Sequence, residues 1–125
     1  MNPNDGIVWH LRVQEEHLGT VAVFRLEGRV YSATSAHLAA ALARICTPGR
    51  AVVLDLSAVD YINGEGLRVI EGAAARLRAT QGEVIVFGLS PIVRTTFDLS
   101  GASEQVSIEE SQVAALARVH ERERR

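Results

Sequence analysis

"AVVLDLSAVDYINGEGLRVIEGAAARL", residues 51–77, changes its hydrophobic pattern halfway along. It opens with a continuous apolar run that ends in an acid, which is typical of a strand covered on both faces. Apolar residues then recur at helical spacing, at Leu67, Ile70, Ala74 and Leu77. The pattern therefore predicts a buried strand that passes into an amphipathic helix. The junction between them, DYINGEG at residues 60–66, holds two glycines, an asparagine and a glutamate but no serine or threonine.

The chain upstream of this stretch predicts a pair of strands. IVWHLRV, Ile7 to Val13, is rich in β-branched and aromatic residues, and TVAVFRLEG gives a second strand from Thr20 to Leu26 that stops at Gly28. The polar stretch QEEHLG, residues 14–19, reads as their connection. Because a parallel crossover needs a dozen or more residues, the two strands should be antiparallel neighbours.

A helix is predicted over residues 31–46, where Leu38, Leu42 and Ile45 recur at helical spacing. Three hydroxyl residues are candidate caps for its start: Ser32, Thr34 and Ser35. Cys46, at its end, is the only cysteine of the chain, so no intrachain disulfide can form and a reducing compartment is expected. No base accompanies it, which favours a structural role.

The chain downstream alternates strands and helices. EVIVFGL, residues 83–89, reads as another buried strand, and residues 90–101 read as a helix that opens with serine and proline. QVSI could be a short edge strand, and a final helix from about Glu109 should turn Val113 and Leu116 inward, and Val119 and His120 less firmly. The order predicts an α/β fold, a mixed four- to five-stranded sheet flanked by helices with the first strand antiparallel.

Composition limits the classes of function. The 125 residues form one domain, with a core at about residues 7–119 and frayed ends at 1–6 and 120–125. A formal net charge of −2 and few aromatic residues argue against nucleic-acid binding. No signal peptide and no apolar run of about 20 residues is present, so we expect a cytoplasmic protein without membrane insertion.

The residues around the junction do not predict an enzyme. The four histidines are scattered, and NGEG matches neither a Walker loop nor a dinucleotide-binding motif. Glu65 would itself occupy the positive end of a helix and repel a phosphate, so no cofactor or metal is expected. On local physics alone, Asn63 is a good helix cap and Glu65 a carboxylate favoured by the helix dipole.

The chain resembles the STAS domain, the fold shared by anti-sigma factor antagonists and the tails of sulfate transporters, from about Ile7 to Val119. The upstream stretch FRLEGRVYSATSAHLAAAL matches the family's second strand and first helix. The other residues that carry the resemblance are Asp55-Leu56-Ser57, Val59-x-Tyr61-Ile62, Gly66-Leu67, the strand Val84 to Gly88, Pro91 with Val93-Arg94, and Leu99 before Gly101.

The resemblance implies a switch at the junction. Soluble members usually have Asp-Ser-Ser-Gly there, and the second serine is phosphorylated by a partner that is both an anti-sigma factor and a serine kinase of the histidine-kinase-like ATPase class. Here Asn63 stands where the acid is usual, Gly64 where the first serine is usual and Glu65 where the phosphorylated serine is usual. Tyr31 stands where the family often carries an acid beside the switch.

The resemblance thus favours a non-enzymatic protein-binding module, an anti-sigma factor antagonist whose phosphorylatable serine is replaced by Glu65. Its expected contact residues, besides those at the junction (Asn63 to Gly66) and Tyr31 with Ser32, lie along the second helix at Arg68, Gly72, Ala75, Arg76 and Ala79. A scaffold or regulatory subunit of a transport complex or stress-sensing assembly is the alternative. Nucleotide binding, modification of Ser32, Thr34 or Ser35, and a weak homodimer stay open.

Overall fold

The protein, in a computed structural model, is described for residues 10–45 and 47–124, so Cys46 lies outside the described residues. The bounds are β1 Leu11–Leu18, β2 Val21–Val30, α1 Ser35–Ile45, β3 Ala51–Ile62, α2 Gly64–Arg78, β4 Glu83–Phe87, α3 Pro91–Ser100, β5 Ser107–Glu109 and α4 Gln112–Glu123. The sheet order is β1-β2-β3-β4-β5, with β1 antiparallel to β2 and the other pairs parallel. The predicted mixed sheet with an antiparallel first strand is confirmed, and it has five strands.

Helices cover both faces of the sheet because alternate strand residues point to opposite sides. The larger apolar cluster lies under α1, α2 and α3 and includes Leu38, Leu42 and Phe97. The four α2 residues predicted to face the core, Leu67, Ile70, Ala74 and Leu77, are all buried there. A smaller cluster lies on the other face, and α4 is the only one of the described helices that covers it. This arrangement leaves the carboxyl ends of β2 and β3 beside the start of α2.

The first hairpin differs from the prediction. Residues 14–18, expected to be a connection, are the second half of β1, and the turn is only Gly19–Thr20. A polar edge strand that is mostly exposed lacks the apolar alternation on which the prediction depended. Gly19 has φ of 66°, a left-handed conformation that glycine adopts without strain. Ile7 to Trp9, the predicted start of the strand, lie outside the described residues.

The inward face of α4 was predicted correctly only in part. Val113 is 80% exposed and His120 is exposed, whereas Ala115 and Val119 are buried and Leu116 is partly buried. Glu109, the expected start of the helix, ends β5 instead, and α4 begins only after Ser111, whose side chain accepts a hydrogen bond from the Ala114 N–H. The helix continues to Glu123, so residues 120–123 belong to α4.

Candidate functional site

The junction between β3 and α2 is fixed by Asn63. Its extended backbone ends the strand at Ile62, and its side-chain oxygen accepts a hydrogen bond from the Gly66 N–H over 3.0 Å. The Asn63 N–H donates to the Val30 carbonyl, also over 3.0 Å, and so ties the junction to the end of β2. The predicted cap is confirmed, but residues 60–62, expected to belong to a loop, are the last residues of β3.

Gly66 is not part of the exposed surface, contrary to the expectation that it helps to contact a partner. It is buried, and a Cβ atom built on it would lie 2.6 Å from both Cγ1 and the carbonyl oxygen of Val30. Backbone cannot move aside as a flexible side chain can. The residue is therefore a steric requirement that lets α2 start directly against β2.

Glu65 is exposed in the first turn of α2. The helix dipole stabilises a carboxylate there by about 0.3–1 kcal/mol. Its Oε2 lies 3.4 Å from the Ser35 hydroxyl, which brings the β3–α2 junction to the start of α1. Arg68 is exposed one turn later, with its guanidinium over Gly64. Within residues 10–45 and 47–124, neither Glu65 nor Arg68 forms an ion pair.

The turn between β2 and α1 forms the other side of the site. The Thr34 hydroxyl accepts a hydrogen bond from the Tyr31 N–H and donates to the Arg29 carbonyl over 2.7 Å. The Ser35 hydroxyl lies 3.2 Å from the Ser32 carbonyl. Because these bonds point back into the turn rather than into α1, they do not support the predicted capping role for Thr34 and Ser35. Thr34 and Ser35 are buried, and Ser32 is exposed.

Two side chains that the sequence analysis did not single out as site residues lie at the same edge of the sheet. The Arg29 guanidinium stacks over the Tyr61 ring, 5.0 Å from its centroid, and Tyr61 packs edge-on against Tyr31 with centroids 6.5 Å apart. The strand register pairs Arg29 with Tyr61, and Tyr61 is 38% exposed. Tyrosine and arginine are enriched among residues that dominate binding at protein interfaces. Alternation from buried Ile62 places Tyr61 on the opposite face, whereas alternation from buried Val59 places it inward, so periodicity alone did not single Tyr61 out.

The predicted contact face along α2 does not form one compact site. Ala75 and Arg76 are exposed and Gly72 is half-buried, as is Tyr31 on the neighbouring turn. Arg76 follows Glu65 by 11 residues, which corresponds to roughly 16 Å along the helix axis. The residues that the fold brings together are therefore those of the first turn of α2, the β2–α1 turn and the tyrosine pair, and Arg76 lies near the other end of the molecule.

Two features are absent from the described parts of the chain. None of their helices combines the length and apolar character that a bilayer crossing demands. Nor do these residues contain a group of three or more histidine, cysteine, aspartate or glutamate side chains arranged to hold a metal ion.

The sequence model of the STAS domain matches residues 12–115 of this chain. The chain belongs to the STAS family. A curated relative, the putative anti-sigma factor antagonist BtrV of Bordetella bronchiseptica, is 43% identical over 93 residues, which are 74% of this chain and 80% of the relative. The expected family is thereby confirmed.

Solved structures agree with the fold. An anti-sigma factor antagonist from Mycobacterium paratuberculosis aligns with a TM-score of 0.79 at 24% identity, over 88% of this chain and 94% of that one. The Bacillus cell fate determinant SpoIIAA in its phosphorylated form aligns with a TM-score of 0.66 at 20% identity, over 86% of this chain and 99% of that one. At such identities the likeness concerns the fold alone.

Proposed function

We propose that this protein is a non-enzymatic signalling module of the anti-sigma factor antagonist type, which acts by binding a protein partner. The name of the 43% identical relative from Bordetella bronchiseptica supports this role. The partner is an anti-sigma factor that is also a serine kinase of the histidine-kinase-like ATPase class. The surface that binds it consists of the first turn of α2, the β2–α1 turn and the tyrosine pair.

The proposal depends most on the exposure of Glu65 and on its lack of an ion-pair partner among the described residues. Its carboxylate is exposed at the carboxyl edge of β3, where ligands of open α/β sheets bind, and it has no ion-pair partner among the described residues. A phosphoserine would carry about −1.5 to −2 charges, and glutamate carries one permanent charge. Glu65 therefore either imitates a phosphorylated serine, or belongs to a partner-contact surface that has been rebuilt around a carboxylate.

Desolvation favours the alternative in which the contact surface is rebuilt around the Glu65 carboxylate. A partner that covers the start of α2 removes water from Glu65, and this costs several kcal/mol per ion unless an opposite charge replaces the water. The helix dipole offsets only about 0.3–1 kcal/mol of that cost. A partner that binds here therefore supplies a cation, and an arginine suits it best because its guanidinium bonds a carboxylate through two parallel N–H groups.

The test is a calorimetric titration of the protein against the kinase of this class encoded nearest to its own gene. We expect Glu65→Gln to weaken binding at least about tenfold, a loss of about 1.4 kcal/mol. Glu104→Gln, an exposed glutamate outside the proposed surface, is the control and should bind like the wild type. Tighter binding by Glu65→Gln would instead support imitation of the modified state, and failure of both the wild type and Glu65→Gln to bind would contradict the proposed function.

A second experiment separates this protein from antagonists that are switched at the junction. Incubation with the same kinase and ATP should leave the peptide containing residues 60–66 unmodified by mass spectrometry. Phosphate anywhere in that peptide would overturn the assignment of Glu65 to the switch position. Glu65→Ser restores a hydroxyl there, and its melting temperature should stay within a few degrees of the wild type because the side chain is exposed.

A further inference from the structure

α4 is held on the sheet by few apolar side chains. Among its 12 residues only Ala115 and Val119 are fully buried, with Leu116 partly buried beside them. α2 buries five apolar side chains over 15 residues: Leu67, Ile70, Ala73, Ala74 and Leu77. Because hydrophobic stabilisation is roughly proportional to the apolar area removed from water, α4 gains much less from packing than α2 does.

A cluster of charged residues at the C-terminal half of α4 supplies much of the remaining attachment of the helix to the sheet. Glu83, at the start of β4, accepts hydrogen bonds from Arg118 Nη2 over 3.0 Å and from Arg122 Nη1 over 3.1 Å. It also accepts one from the Ser107 hydroxyl on β5 over 2.6 Å. Arg122 donates a further bond to the Gln81 carbonyl over 2.6 Å. One half-buried carboxylate thus joins α4 to β4 and β5.

Polar contacts also hold both ends of the helix. Near its start, the Gln112 side-chain oxygen accepts a hydrogen bond from Arg25 Nη2 over 2.8 Å, and Arg25 is fixed in turn by Asp55. Near its end, the Thr20 hydroxyl donates to Glu123 over 3.2 Å. The attachment of α4 therefore depends on charged and polar pairs to a degree that the attachment of α2 does not.

The surface beneath α4 is apolar. Val21, Val23, Val53, Ile85 and Phe87 are all buried in the smaller cluster. This cluster lies on the face of the sheet opposite α1, α2 and α3. Departure of α4 would expose these side chains without disturbing the larger core.

We propose that α4 is a latch, a helix that opens and closes as a unit and whose closure is set by the cluster of Glu83, Arg118 and Arg122. Opening uncovers a second, apolar surface on β2, β3 and β4, on the face away from α2. Salt screens ion pairs, so raised salt should weaken the cluster and open the latch while leaving the larger core closed. The latch stands independently of the partner proposed for Glu65.

Hydrogen exchange of the full chain, followed by mass spectrometry, tests the latch. In the wild type, amides of α4 should exchange faster than those of β3 and β4, and raising salt from about 0.02 M to about 0.5 M should widen the difference. Glu83→Gln should speed exchange in α4 at least about tenfold, and α4 should still exchange faster than β3 and β4, because opening of α4 does not require unfolding of the larger core. Glu104→Gln removes an exposed glutamate outside the cluster and should match the wild type.

Exchange of α4 together with β3 and β4 in one cooperative unit, in both the wild type and Glu83→Gln, would overturn the proposal. So would a Glu83→Gln protein whose α4 exchanges like the wild type. Should Glu83→Gln fail to fold, Arg118→Gln replaces it. That side chain is 43% exposed, and its removal leaves Glu83 paired with Arg122. Faster exchange of α4, still ahead of β3 and β4, is again the expected result.

Discussion

The two ends of the sheet use the same charged residue types in opposite ways. At the carboxyl end of β3, Glu65 and Arg68 stand one helical turn apart and neither forms an ion pair among the described residues. At the opposite end, Glu83 is bound by Arg118 and Arg122, with only 14% of its side chain exposed. Charges satisfied within the chain hold elements of the fold together, whereas charges left exposed and unpaired are available to another molecule.

The largest effect should come from the residue that lets α2 start against β2. Gly66→Ala places a methyl group 2.6 Å from the Val30 carbonyl oxygen, so we expect a loss of about 3 kcal/mol in the free energy of unfolding. Gly64→Ala is the matched control, since the nearest atom to its new Cβ is Arg68 Nη1 at 4.0 Å. Urea denaturation of both variants measures the difference. Equal stability of the two variants would mean that the close approach to Val30 is not required.

The next largest effect on stability is expected at Glu83, and it is compared with the effect of the same change at Glu65. Glu83→Gln leaves Arg118 and Arg122 without their carboxylate, and should lower the free energy of unfolding by about 2 kcal/mol. Glu65→Gln removes an exposed charge without an ion pair, and should change it by less than about 0.5 kcal/mol. Denaturant titration of both proteins at neutral pH provides the measurement. A larger loss in Glu65→Gln than in Glu83→Gln would reverse the comparison.

Lowering the pH should reveal how much Glu83 stabilises the fold, because the free energy of unfolding depends on its protonation. Burial raises the pKa of Glu83, but hydrogen bonds from Arg118 and Ser107 and the nearby arginine charges outweigh it and hold the pKa below its ordinary value of 4.5. A carboxyl group whose pKa is depressed by folding stabilises the protein above its unfolded pKa, and this contribution is lost as the pH falls through the folded pKa.

The free energy of unfolding should therefore decline below pH 4.5 in the wild type. It should decline less steeply in Glu83→Gln, which lacks this group. Asp55, whose burial is outweighed by hydrogen bonds from Ser57 and Arg25, has a lowered pKa as well and supplies a further part of the acid sensitivity in both proteins. Denaturant titrations at a series of pH values provide the two slopes, and identical slopes would contradict the role assigned to Glu83.

Sequence patterns predicted the parts of the fold that depend on buried apolar residues. The β3–α2 unit has a continuous apolar run followed by a helical stripe, and both appear where they were expected. The patterns failed where polar partners decide the structure. The second half of β1 is polar because it is an edge strand, and α4 is turned so that Val113 faces solvent while arginines reach Glu83.

The candidate site was predictable in part for the same reason. Asn63 and Glu65 are adjacent in sequence to a clear helix start, so their places could be inferred from local rules. The contact of Ser35 with Glu65, and the stacking of Arg29 on Tyr61, join residues about 30 positions apart. Such contacts follow from the register of β2 against β3, and periodicity within one segment does not contain that information.

The smallest effect concerns the cap that orients the first turn of α2. Asn63→Ala removes the acceptor of the Gly66 N–H and should cost about 1 kcal/mol in the free energy of unfolding. Asn63→Asp keeps an acceptor oxygen and should restore most of that stability. It also places a second negative charge beside Glu65, so it should strengthen binding of a partner that presents a cation to this edge. Retained stability together with raised affinity in Asn63→Asp would show that the fold of this edge needs only an acceptor oxygen at residue 63, whereas binding responds to the charge placed there.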